Sequence, residues 1–245
     1  MTARASTLIT LATYNEIDNL PLLIDAIHAE VPEADILVID DGSPDGTGQW
    51  CDEKAAADPR VGCLHREGKL GLGTAIITGM KYAIEHDYEY VLNMDADFSH
   101  HPRHLRGMIA GMQPDGAAAP DAVVGSRYVA GGGTQGWPLK RKLMSRMVNL
   151  YARWMLGLRC RDCSGSFRCY RTAQLAKVDF DAVRSRGYSF QEEILWRLKR
   201  TGARFTEFPI VFADRERGQS KIDGREAVEA LWIIFRLGLT NWIGV

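Results

Sequence analysis

"YVLNMDADFSHHP", Tyr90 to Pro102, decides how this chain is read. A run of buried-strand character ends in two carboxylates, Asp95 and Asp97, with only Ala96 between them. Residues i and i+2 on a strand share a face, so both acids aim the same way unless the chain turns after Asp95. Like charges that close repel each other unless a cation, a proton or water separates them. In an average protein an isolated Asp-x-Asp is a solvated strand end. Here the apolar run before the pair, and acids at other strand ends, favour a cleft. Two hard oxygen donors facing a cleft suit Mg²⁺ or Mn²⁺, which takes one or two carboxylates plus substrate phosphates. Ser99 is a further oxygen donor for the ion or for its ligands. His100, His101 and His104 are poorer ligands for a hard cation, and "HHP" reads as the start of the next helix.

Upstream, the pattern alternates. "STLITLATYNE" gives a strand over Leu8 to Ala12 that breaks into a polar loop. "NLPLLIDAIHAEV" carries Leu20, Leu23, Ile24 and Ile27 at helical spacing, with Asn19 or Asp18 as cap. "ADILVIDDGSPDGT" is a strand over Ile36 to Ile39 that ends in Asp40, Asp41 and a strong turn sequence. A helix through Gln49 to Ala57 and a third strand near Val61 to Leu64 follow. "GLGTAIITGMKYAIEHD" is a Gly-rich helix entry before the strand at Tyr90. Alternating strands and helices imply an α/β fold with a mostly parallel central sheet, right-handed crossovers and helices on both faces. Ligands bind such sheets at the carboxyl ends of the strands, which would gather Glu16, Asp41, Asp95 and Asp97 on one edge.

The second half is less regular. "GSRY" ends a strand and precedes a Gly-rich loop; "WPLKRKLMSRMVNLYARWMLGL" is a basic amphipathic helix. "CSGSFRCYR" reads as a strand and "SFQEEILWRLKRTG" as a helix ending at Gly202. "RFTEFPIVFADRERGQSK" is a strand leading into a charged loop. No linker, repeat or low-complexity tract divides the 245 residues, so one domain is the simplest account. The net charge of −1 gives no general attraction for nucleic acid, and none is expected as a partner. Of the five cysteines, Cys160, Cys163 and Cys169 cluster without a zinc-like partner set, so reduced, packed thiols are expected. The first residues lack a signal-peptide layout, which points to the cytosol. The tail from Ala227 to Val245 is too short and too interrupted by Arg236 to span a bilayer, which needs about 20 mostly apolar residues. Its Trp232 and Trp242 suit an interfacial helix, or a helix packed on the domain.

The ordered set "ATYNE", "VIDDGSPDGT", "GLGTA", "MDADFSHHP", "GSRY", "SGSFRCYR" and "DRERGQSK" resembles glycosyltransferase family 2 over nearly the whole chain, most nearly its dolichol-phosphate (polyprenol-phosphate) mannose synthases. Each motif is weak alone; their order is specific. The resemblance implies a GT-A fold and inverting transfer of mannose from GDP-mannose to a dolichyl or polyprenyl phosphate. The alternatives are UDP-glucose as donor, or a hydroxyl acceptor. It divides the chain into a GT-A catalytic domain over 1–226, with a nucleotide-sugar half to about 126 and an acceptor half beyond, and a tail helix over 227–245. By the same resemblance Ala12 (where the family usually has proline), Tyr14, Glu16, Ile39 and Asp41 hold the nucleoside. Asp95, Ala96 and Asp97 meet the metal and diphosphate, with Asp95, Asp97 and Ser99 as metal ligands. Arg127 and Arg215 are catalytic cations alongside Asp97, and Lys221 closes with Arg215 over the diphosphate on a loop made supple by Gly218 and Ser220. Arg141 and Ser145 grip the acceptor phosphate, with Lys140, Lys142 and Arg146 adding positive potential. A phosphate acceptor already carries charge near neutral pH, because its second pKa is about 6. No essential base is therefore expected, and Glu192 and Glu193 read as sugar-hydroxyl or structural contacts. The expected place is the cytosolic face of the plasma membrane or endoplasmic reticulum, bound by the tail or by a membrane-embedded partner subunit.

Overall fold

The computed structural model describes residues 6–187, 189–214 and 224–243. The first half alternates β1 (Thr7–Thr13), α1 (Leu20–Glu30), β2 (Asp35–Asp40), α2 (Thr47–Ala57), β3 (Val61–His65), α3 (Leu72–Glu85) and β4 (Tyr90–Asp95). A single 3₁₀ turn over Pro102–His104 leads into α4 (Leu105–Ala110). The second half holds β5 (Ala122–Ser126), β6 (Gly133–Gln135), α5 (Leu139–Leu156), β7 (Arg168–Arg171), α6 (Thr172–Leu175), α7 (Phe190–Arg200), β8 (Phe205–Pro209), β9 (Val211–Ala213) and α8 (Gly224–Ile243).

Seven strands form one sheet in the order β3-β2-β1-β4-β7-β5-β8, and β6 pairs with β9 in a small second sheet. Helical connections return the chain to the same end of the sheet, so β3, β2, β1 and β4 run parallel. β7 alone runs antiparallel, between β4 and β5. The apolar stripe predicted for α1 buries Leu20, Leu23, Ile24 and Ile27 against one face of the sheet, with Leu105 and Met108 of α4 beside them. α3 and α7 cover the other face through Ala75, Ile76, Met80, Phe190, Ile194 and Leu198. A third cluster joins Val124 to α5, α7 and α8 through Leu156, Leu195 and Ile234. Full burial of such side chains is worth about 1.5–3 kcal/mol each, so the sheet and its two helical layers are the stable frame.

Several boundaries differ from expectation. α2 starts at Thr47 rather than Gln49, because the Asp45 carboxylate accepts both the Thr47 amide and hydroxyl at 3.0 and 2.6 Å. Neither Asn19 nor Asp18 caps α1 with its side chain. The Glu16 carbonyl instead accepts the Asn19 and Leu20 amides, and Pro21 occupies the first turn, where no amide donor is required. Cys160, Cys163 and Cys169 are free and buried; burial pushes the Cys160 thiol up to about 12, so it stays protonated. Among the described residues no helix is long and apolar enough to cross a membrane.

Candidate active site

Strand register builds the site. Ala12 of β1 pairs with Ile39 of β2 on one side and with Asp95 of β4 on the other. Three residues singled out from different motifs therefore lie abreast at the carboxyl end of the sheet, where α/β folds bind ligands. Each strand then breaks into a loop. Asp40 takes the turn chemistry of the β2 loop: its carboxylate accepts from the Ser43 amide at 2.9 Å, the Ser43 hydroxyl at 2.5 Å and the Thr13 hydroxyl at 3.0 Å. Asp41 is thereby spared that duty. Its carboxylate sits 3.0 Å from Arg66, both nearly buried. Burial raises the Asp41 pKa and Arg66 opposes the rise. Tyr14 lies under Lys69, whose ammonium is 5.1 Å from the ring centroid. Glu16 accepts from the Asn19 side chain at 2.9 Å, and its amide donates to the Thr47 hydroxyl at 3.1 Å.

The acid pair is held by its own loop. Phe98 adopts φ +61, an unusual value for a bulky residue. That turn folds Ser99 back, so its amide and hydroxyl donate to Asp97 Oδ1 at 3.0 and 2.5 Å. Asp95 Oδ1 accepts from the Ser166 hydroxyl at 2.7 Å. Its amide donates to His100 Nδ1 at 3.1 Å. Burial lowers the His100 pKa, and the ring stacks on Phe167 with centroids 4.9 Å apart. His101 Nδ1 accepts the Arg103 amide and His104 Nε2 the Val211 amide, so all three histidines spend a ring nitrogen on the backbone. The donors left at the strand end, Asp95, Asp97 and Ser99, offer oxygen only. That set fits a hard divalent cation. A mixed cluster of carboxylate, thiol and imidazole lies elsewhere, with Asp52 on α2 and Cys63 and His65 on the edge strand.

Beyond β5, Arg127 is nine-tenths buried and clasped by Asp162. Its Nε and Nη2 donate to the two Asp162 oxygens at 2.7 Å each, and its amide reaches Oδ2 at 2.9 Å. Burial would raise the Asp162 pKa, but the guanidinium more than offsets this and the net shift is downward. Trp137 and Phe212 flank the same guanidinium at 5.3 and 5.6 Å. Arg141 stacks on Trp137 at 4.1 Å and donates to Asp214 at 2.8 Å. Ser145, one turn further along α5, accepts from the Tyr128 hydroxyl at 2.7 Å. At the start of α7 the two glutamates part company. Glu193 accepts the Arg184 and Ser185 amides and the Arg197 guanidinium, which ties down the preceding loop. Glu192 is buried, and desolvation pushes its carboxyl up to about 7.

The sequence profile of glycosyl transferase family 2 matches residues 9–178, spanning β1 to β7 and the acid pair. The chain belongs to glycosyltransferase family 2. An undecaprenyl-phosphate mannosyltransferase of Micrococcus luteus is 44% identical over 234 residues, covering 95% of this chain and 94% of that one. A polyprenol monophosphomannose synthase of Mycolicibacterium smegmatis is 42% identical over 234 residues, covering 95% and 87%. Among solved structures, glucosyl-3-phosphoglycerate synthase from Mycobacterium tuberculosis with Mn²⁺ and UDP-glucose superposes with TM-score 0.66. It is 18% identical, with 99% of this chain and 80% of that chain covered. A complex of the same enzyme with phosphoglyceric acid superposes with TM-score 0.68 over 96% and 81% at 18% identity. At that identity the likeness is one of fold, and the fold is GT-A.

In this family 2 glycosyltransferase the structure brings Ala12, Ile39, Asp41, Asp95, Ala96, Asp97 and Ser99 to one strand edge. Arg127 approaches from the β5 side; Arg141 and Ser145 stand on α5. Arg215 and Lys221 lie outside the described residues, which reach Asp214 before them. Sequence reasoning missed Asp162, Ser166, Arg66 and Asn149. Asn149 Oδ1 accepts the Cys163 and Ser164 amides at 2.6 and 3.2 Å, which shapes the loop holding Asp162. Only the motif "SGSFRCYR" signalled part of that loop, through Ser166.

Proposed function

We propose that this chain transfers mannose from GDP-mannose to a polyprenyl or dolichyl monophosphate, with inversion at the anomeric carbon, giving the polyprenyl phosphate mannose and GDP. The observation that carries the reading is the register setting Ile39, Ala12 and Asp95 abreast, with Asp41 and Asp97 just beyond. A nucleoside held over β1 and β2 then points its diphosphate at the acid pair. The two relatives, each more than 40% identical and named for a mannosyltransferase or phosphomannose synthase, support the sugar and the lipid acceptor.

Asp41 accepts hydrogen bonds from base or ribose, after exchange from Arg66, and Tyr14 and Glu16 complete that contact. Asp95, Asp97 and Ser99 would hold Mg²⁺ or Mn²⁺, which when bound neutralises charge on the departing nucleoside diphosphate. Arg127, fixed in aim by Asp162, presents Nη1 as its end uncommitted among the described residues. Arg215 and Lys221 add cations from the loop beyond Asp214. Arg141 and Ser145 orient the acceptor phosphate in line with the sugar carbon. The acceptor oxygen is already charged near neutral pH, so no side chain must remove a proton. Glu193 is consumed by structural bonds to the Arg184 and Ser185 amides and to Arg197.

Exposed apolar side chains on α5 and α8 support attachment at the cytosolic face of a membrane, with a membrane-embedded subunit as a further partner. The test uses radiolabelled GDP-mannose, a polyprenyl phosphate and Mg²⁺ or Mn²⁺, with product extracted into organic solvent, and UDP-glucose in parallel. Label in the organic phase from GDP-mannose alone, abolished by chelation and by Asp97→Ala, is the expected result. Transfer from UDP-glucose instead, or activity indifferent to the loss of Asp97, overturns the donor or the metal assignment.

A further inference from the structure

Beside α5 lies a cleft of about 370 Å³ whose lining includes Arg127, Arg146, Asn149, Leu150, Arg153 and Arg161. Arg127 is neutralised by Asp162. The other three arginines make no side-chain ion pair or hydrogen bond among the described residues, and Arg153 Nε is buried without a partner. Among the described residues no carboxylate lines the cleft. Glu207, which meets the Arg161 backbone, spends its oxygens on the Arg161 and Asp162 amides. Three guanidiniums gathered around a cavity that no described carboxylate lines constitute a site for an anion with several oxygen acceptors. Position narrows the ligand. Arg146 and Arg153 lie seven residues apart, two turns along one flank of α5. Alongside them runs a stripe of exposed Leu139, Leu143, Met147, Leu150 and Trp154. A basic row bordering an apolar stripe matches an interfacial helix, whose apolar side enters the acyl boundary while the cations meet headgroups.

We propose that Arg146, Arg153 and Arg161 form a binding site for the phosphate of an anionic phospholipid headgroup, separate from the acceptor phosphate site at Arg141 and Ser145. It rests on the membrane-surface reading above. The bound headgroup fixes α5 on the bilayer and so sets the height of the acceptor site over the membrane.

The full chain and its Arg153→Gln/Arg161→Gln variant are sedimented with phosphatidylcholine vesicles, with and without phosphatidylglycerol. Free glycerol phosphate serves as competitor. In parallel, transfer to a short-chain, water-soluble polyprenyl phosphate is measured without lipid. Each basic residue near an anionic surface is worth about 1 kcal/mol. Losing two should therefore weaken binding to the anionic vesicles about 30-fold, leave binding to neutral vesicles unchanged, and leave KM for the short acceptor unchanged. Unaltered preference for phosphatidylglycerol in the variant overturns the site. So does a raised acceptor KM with unaltered vesicle binding, which would make the cleft an acceptor subsite. Equal competition by free glycerol phosphate at low concentration would reassign it to a soluble phosphate. If anionic-vesicle binding falls in the variant as expected but the wild-type chain transfers no sugar, the headgroup site stands and the proposed reaction falls.

Discussion

Removing the Asp162 carboxylate would strand Arg127 in a nearly water-free pocket. Breaking a buried pair from one side costs about 3–5 kcal/mol, because the remaining charge loses its partner. Asp162→Ala is therefore expected to lower the denaturant midpoint by that equivalent. Arg127→Met with Asp162→Leu should recover part of the loss, as two apolar groups leave no charge unpaired. A single variant with unchanged stability would show that the clasp anchors nothing. The pair was only half legible: "GSRY" announced an arginine, but its acid lies 35 residues away in a stretch whose cysteines drew attention. Glu192 offers a second measurement. Its carboxyl is pushed up to about 7 by burial, above the ordinary glutamate range. Between that range and pH 7 the folded state holds a proton that the unfolded state has lost, so stability falls as pH rises through this window. At roughly 1.4 kcal/mol per pKa unit the total is about 3 kcal/mol. Glu192→Gln, which keeps the shape and the neutral form, should flatten the stability profile there and raise stability at pH 8. Its transfer rate should fall less than about tenfold, since losing a true base costs about 10²–10⁴. A larger fall would make Glu192 a base and point to a hydroxyl acceptor. The pair "EE" was visible in sequence, but which glutamate ties the loop and which is desolvated depends on Arg197 and on packing from distant segments.

Helices α1 and α3 were readable because their apolar residues recur at the period of a single buried face. α2 carries no such stripe, burying only Thr47, Gly48 and Cys51, and was placed by its position between two strands. β7 was read as a strand, but not its direction: four residues carry no pairing direction, and its antiparallel place lies between β4 and β5, beyond the loop that the Asn149 and Asp162 contacts shape. The meeting of α5 with α8 was equally hidden. Gly238 of α8 lies so close to α5 that a Cβ there would stand 2.5 Å from Met155 Cε and 3.1 Å from the Met155 Cβ and carbonyl oxygen. Met155 can swing its methyl aside, but its Cβ and carbonyl are fixed by the helix. Gly238→Val should therefore push the helices apart despite replacing a poor helix former, with a net cost of about 1–3 kcal/mol. Hydrogen exchange should rise along α8 while the strands β1, β2 and β4 keep their protection. Equal protection of α8 in wild type and variant would mean that the close approach does not hold the two helices together.

The folded domain leaves an unusual amount of apolar surface on these two helices. On α5, Leu139, Leu143, Met147, Leu150 and Trp154 are exposed, Leu139 at 82% and Trp154 at 63%. On α8, Val228, Leu231, Trp232, Phe235 and Leu239 are exposed to varying degrees, and Trp232 stacks on Phe235 at 5.6 Å. The Trp242 side chain lies outside the described residues. The tail helix was suspected from sequence, and α5 was read as a basic amphipathic helix; that its apolar stripe stays exposed was not legible, because the spacing of Leu139, Leu143, Met147 and Leu150 does not say whether another element covers them. Exposed apolar surface of this extent marks a contact with another body. Between a bilayer and a second protein, composition supports the bilayer proposed above: α5 contains five Lys and Arg and no Asp or Glu, as a helix lying on an anionic membrane would. The Leu143→Ser/Met147→Ser/Trp154→Ser variant removes apolar groups that contact solvent, so stability should change by no more than about 0.5 kcal/mol per site. Flotation with neutral vesicles should be lost, since each such side chain is worth about 1.5–3 kcal/mol when buried. Transfer to a short soluble acceptor should persist, because none of the three residues belongs to the strand-edge site. Undiminished flotation would exclude α5 as the docking face. A wild-type dimer in lipid-free solution that the variant converts to monomer would assign the stripe to a second protein copy.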